Sequence, residues 1–128
     1  MFEATSERDP RMTMEIRQDG PLLLVEQERF DARFPADPAD DLEQLQHQDF
    51  YVTVKGGPTY YASLMTLGAI DAVLRRWAET GEAASGRYFF TTDLVITPRP
   101  GITAMIEAID GLVREEEIGN ACQVIRAR

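Results

Sequence analysis

The chain has 128 residues, with 13 Lys and Arg against 22 Asp and Glu and a formal net charge of −9; the length fits one domain, and the charge disfavours a nucleic-acid or anionic-membrane surface, each of which needs a basic patch. Apolar residues make up 44% and charged residues 27%, a globular rather than a disordered composition. A single cysteine, Cys122, and a single histidine, His47, exclude an internal disulfide framework and the usual zinc ligand sets.

Residues 1–10 are polar and mixed in charge and read as a disordered leader to a single domain over 11–128. They lack the basic start and apolar run of a signal peptide. The longest apolar run, Leu22 to Val25, falls far short of the roughly 20 residues of a membrane span. With a free cysteine and no export signal, a reducing cytoplasm is expected.

From Met12 the chain alternates apolar and polar residues through Ile16, the period of a half-buried strand. Asp19-Gly20 signals a tight turn, and Leu22 to Val25 supplies the return strand, so a hairpin is predicted over 12–28. Residues 29–49 read as an acidic loop, with a short helix over 40–45 favoured by acids at its start. Over 21–49 two arginines stand against eight acids, so most of the chain's net charge sits there.

Phe50, Val52 and Val54 alternate again, Gly56-Gly57-Pro58 makes a loop, and Tyr60 to Met65 returns as the second hairpin. Thr66 is placed to cap a helix over 67–80, whose Leu67, Ile70, Leu74 and Trp77 recur at three and four residues. Gly81 follows, where a left-handed cap is wanted. Arg87 to Thr97 reads as one strand, with Tyr88, Phe90, Thr92, Leu94 and Ile96 toward the core and Phe89, Thr91, Asp93 and Val95 outward. Ile102, Met105, Ile106, Ile109, Leu112 and Val113 mark a second amphipathic helix over 102–116, and Ile118 to Ile125 a last short helix. The order β-β-β-β-α-β-α predicts an α+β fold: an antiparallel sheet of about five strands with both long helices on one face.

No catalytic constellation emerges. His47 sits in a glutamine-rich stretch with no nucleophile motif beside it, and Gly56-Gly57-Pro58 lacks the spacing of a phosphate loop. Asp37, Asp40 and Asp41 lack the spacing and central glycine of a calcium loop, so no metal and no cofactor is expected. The acids Asp37, Asp40, Asp41, Glu43 and Asp49 suit electrostatic docking of a basic protein, with outward Phe89 and Asp93 as further contacts. Tyr60, Tyr61, Trp77 and Phe90 are the aromatic side chains available to line a ligand pocket between sheet and helices. Cys122 reads as a small buried hydrophobe.

The stretch Gly86-Arg87-Tyr88-Phe89-Phe90-Thr91-Thr92-Asp93-Leu94-Val95-Ile96, with the helix after it and the strand–helix segment Tyr61 to Gly81, resembles small acidic bacterial proteins of the toxin-immunity type over about residues 50–115. That resemblance implies a non-catalytic module that binds and inhibits a basic toxin domain. The alternative is a small-ligand-binding or accessory domain with an aromatic-lined pocket. An enzyme using Asp93 and His47 as an acid–base pair ranks third.

Overall fold

The computed structural model describes residues 14–125. The expected leader and Met12 lie outside them. Among these residues seven strands form one mostly antiparallel sheet, accompanied by four helical segments and a 3-10 turn.

Strands β1 (Ile16–Asp19) and β2 (Leu22–Glu26) form the first expected hairpin. Strand β3 (Phe30–Phe34) lies inside the segment expected to be loop, which raises the strand count above five. Its reason is plain in the burial: Phe30, Ala32 and Phe34 are fully buried while Asp31 and Arg33 alternate on the other face. Two charges in five residues obscure a strand signal that the three apolar positions still carry. The expected short helix over 40–45 is a single 3-10 turn, Leu42–Gln44.

Strand β4 (His47–Val54) pairs with β5 (Thr59–Thr66) along nearly their full length, which makes the second hairpin the backbone of the sheet. Thr66 then caps helix α1 (Leu67–Thr80), its hydroxyl accepting from the Ala69 amide at 3.0 Å, and Gly81 closes it in the left-handed conformation. Segment α2 (Glu82–Gly86) is one turn wound left-handed, with Ala83, Ala84 and Ser85 all at positive φ.

Only Leu94–Thr97 of the expected strand 87–97 joins the sheet, as β6, and it runs parallel to β5. A parallel neighbour requires a crossover, and residues 67–93 supply it. Three features keep 87–93 out of the ladder. Gly86 lies so close to α1 that a Cβ there would stand 2.4 Å from the Leu74 carbonyl oxygen. Phe89 stacks on Trp77 with ring centroids 5.7 Å apart. Asp93, at φ 55°, turns the chain into β6. The expected facing is reversed: Phe89 is half-buried against α1, while Tyr88 and Phe90 are 52% and 77% exposed.

Helix α3 (Ile102–Arg114) covers the sheet with Ile102, Met105, Ile106 and Ile109, which pack with Leu23, Val25, Phe30, Phe34, Phe50, Val52 and Leu64 as the core. Each large side chain buried there contributes roughly 1.5–3 kcal/mol. The turn α4 (Ile118–Ala121) adds Ile118, and Cys122 follows it into the core before β7 (Gln123–Ile125) pairs with the start of β5.

The expectation that both long helices share one face is corrected. No residue of α1 is buried and none belongs to the core cluster. Its half-buried Val73 and Trp77 instead share a cleft with His47, Ser63 and Met65, residues of the face opposite α3. Met65, only 3% exposed yet outside the core cluster, marks where the crossover covers that face.

Candidate functional site

Alternation along β3, β4 and β5 turns Asp31, Arg33, Asp49, Tyr51, Thr53, Tyr61, Ser63 and Met65 away from α3. Cross-strand register then pairs them by kind. Tyr51 lies opposite Tyr61, with ring centroids 5.4 Å apart. Ser63 donates to Asp49 Oδ1 at 2.6 Å. The Thr53 and Thr59 hydroxyls share a 2.8 Å hydrogen bond.

Three basic side chains of the strands and turns on this open face are paired where they stand. Arg17 meets Glu26 at 2.8 Å, Arg33 meets Asp19 at 3.0 Å, and Lys55 meets Asp31 at 3.4 Å. Asp31 Oδ1 is buried and, among the described residues, has that ionic contact in place of a hydrogen bond.

Two hollows open on this face. One, of about 540 Å³, lies over Tyr51 and Tyr61 beside Gln123, Val124 and Ile125 of β7. The other, of about 360 Å³, runs between the sheet and the crossover. His47, Ser63 and Met65 line its sheet side, Val73, Arg76 and Trp77 its α1 side, and Phe89, Phe90 and Thr91 its third wall.

The expected docking acids separate into different environments. Asp37, Asp40 and Asp41 are exposed on the β3–β4 connection, and Asp37 accepts from the Ala39 amide at 2.9 Å to hold the turn. Glu43 instead reaches α3, accepting from the Thr103 hydroxyl at 2.6 Å. Asp49 is held by Ser63 on the open face. Asp93 is half-buried, and its carbonyl accepts from the Ser63 amide at 2.9 Å.

Of the four aromatic residues expected to line one pocket, Trp77 and Phe90 share the crossover cleft, and Tyr61 lines the other hollow. Tyr60 packs against the core on the α3 side. The space between sheet and α3 is filled by core side chains, so these aromatic residues meet their hollows on the face opposite α3, while the hollows that touch α3, of about 380 and 240 Å³, lie at its rim beside Glu43 and Arg99 and beside Arg29 and Arg114. His47 lines the crossover cleft and Asp93 does not. Cys122 is buried, and that burial, with the Asp93 carboxylate adding to it, pushes its thiol up to about 11.

Sequence reasoning passed over Tyr51, Ser63, Met65 and Arg76. The first three carry a signal only once the β4–β5 register is known, because each gains its place from a cross-strand neighbour. Arg76 lies three residues after Val73 and one before Trp77, which places it beside the apolar stripe of α1.

Among the described residues no helix is long and apolar enough to cross a membrane, and no three His, Cys, Asp or Glu side chains converge as a metal site. Comparison of the chain with protein-family models, curated proteins and solved structures gives no match.

Proposed function

We propose that this chain is a non-catalytic interaction module that binds a basic protein partner in the manner of a toxin-immunity protein. One observation carries the reading: large apolar side chains are exposed along the crossover and its edge of the sheet. Leu67, Tyr88, Phe90 and Ile96 lie there, Tyr88 and Phe90 stacked with ring centroids 6.3 Å apart, with Val124 and Ile125 further along the same β5 edge. Exposed aromatic and aliphatic side chains of this kind suit a contact surface.

Charge supplies the partner's sign. The net charge is −9, and three cations of the open sheet face are already paired. Exposed Asp37, Asp40 and Asp41 lie on the β3–β4 connection and remain available to steer a basic protein. Complementary charge of this kind raises the association rate more than the final affinity.

The test is co-expression with the products of the genes flanking this one. A basic product should form a stable complex, and its toxicity to the host cell should be suppressed. Replacing Asp37, Asp40 and Asp41 together by Asn should slow association and weaken its dependence on salt. Failure of every flanking product to bind overturns the reading.

A further inference from the structure

We infer that the crossover cleft binds a small aromatic carboxylate, with Arg76 holding the carboxylate and Trp77, Phe89 and Met65 enclosing the ring. This inference rests on the cleft alone and stands or falls separately from the protein-partner reading.

Its size is the first argument. A hollow of about 360 Å³ falls within the range of small-molecule sites, about 300–1,000 Å³. Its walls are the second. Trp77 and Phe89 stack at an interplanar angle of 25°, Met65 lies almost fully buried beneath them, and Phe90 stands open at the mouth. Aromatic faces and a thioether favour a flat apolar body over an aliphatic chain.

The third argument is charge, and it selects the ligand's polar end. Arg17, Arg33, Lys55, Arg75, Arg99 and Arg114 each meet a carboxylate within the chain. Among the described residues Arg29, Arg76 and Arg87 meet none, and of these three it is Arg76 that lines the apolar crossover cleft, in a protein of net charge −9. Among the described residues no acidic side chain lines that cleft with it. His47 on the sheet wall and Thr91 on the third wall line the same cleft as further donors. A guanidinium without a carboxylate partner, beside stacked rings, is a fork for a planar anion.

Trp77 is the chain's single tryptophan, so its emission reports the cleft directly. We would titrate the protein with phenylacetate, phenylacetamide and phenethylammonium at fixed ionic strength. Phenylacetate should give a saturable change in Trp77 emission. The amide should bind about fivefold more weakly, the effect of losing one exposed charge pair, and the amine more weakly still. In Arg76→Gln, whose position is exposed and outside the core, the acid and the amide should bind alike, while the thermal melt stays unchanged. The inference is overturned by any of three results: no saturable change with phenylacetate, equal binding of acid and amine by the unaltered chain, or a preference for the acid that survives Arg76→Gln.

Discussion

The carboxylate of Glu43 accepts a 2.6 Å hydrogen bond from the hydroxyl of Thr103, a residue in the first turn of α3. Helix α3 has no side-chain cap of its own, because Gly101 occupies that position. An acid from the β3–β4 connection therefore supplies the negative charge that a helix N-terminus favours. The fit is close: a Cβ on Gly101 would lie 2.6 Å from both the Glu43 carbonyl oxygen and its Oε1. Glu43 thus has a structural role, although sequence reasoning groups it with Asp40 and Asp41 as acids suited to docking.

Glu43→Ala should accordingly destabilise the fold by about 1 kcal/mol, the size of a lost cap. Asp41→Asn, two residues earlier and exposed, should change stability by less than about 0.5 kcal/mol. Urea melts of the two variants separate these roles.

The left-handed turn α2 leads to a second expectation. Ala84 is exposed and sits at φ 51°, a conformation that costs an L-residue with a Cβ about 1–2 kcal/mol. Ala84→Gly should raise the melting temperature, the relief outweighing the added chain entropy of glycine, about 0.4–1 kcal/mol. Gly86→Ala should do the reverse, since its Cβ would collide with the Leu74 carbonyl. Thermal melts of both variants, read beside the emission of Trp77, check the pair.

Cys122 predicts a pH dependence. Its folded thiol is held at about 11, above the ordinary value of 9.0. Below 9.0 the thiol is protonated in both states and stability is unaffected by it. As pH rises from 9 toward 11 the unfolded chain loses this proton while the folded chain keeps it, so the folded state loses ground. The urea midpoint should fall across that window more steeply in the unaltered chain than in Cys122→Ala, which serves as the control for tyrosine and lysine titration. The native thiol should also react with a disulfide reagent only after unfolding.

The two phenylalanines Phe50 and Phe90 set the core apart from the surface. Phe50 is fully buried and lies tilted against Phe34, with ring centroids 6.5 Å apart. Phe50→Ala should cost about 3–5 kcal/mol. Phe90→Ser should leave the melt within about 0.5 kcal/mol of the unaltered chain, and should weaken partner binding. Chemical denaturation of the two variants side by side measures the contrast.

Local rules read much of this fold. Both hairpins, α1 with its Thr66 and Gly81 caps, and the α3 stripe follow from periodicity and turn chemistry. What escaped depended on tertiary context. Strand β3 hid because Asp31 and Arg33 lend it the composition of its acidic surroundings, although Phe30, Ala32 and Phe34 keep the period of two. The stretch Tyr88–Phe90 does alternate, but its inner partner is Trp77 rather than the sheet, so the facing came out inverted. Amphipathicity says that a stripe is covered without saying by what, so the stripes of α1 and α3 do not by themselves separate the two faces of the sheet. The crossover cleft was half legible: Trp77 and Phe90 drew notice as aromatics, whereas Arg76, Ser63 and Met65 needed the register and the parallel β5–β6 pairing.

A partner surface on the crossover and its edge of the sheet, rather than on the α3 face, is tested by amide hydrogen exchange on the complex with a basic product of a flanking gene. Exchange should slow over residues 88–96 and in the connection 37–41, with α3 unchanged. Protection confined to α3, or no complex with any flanking product, would contradict it.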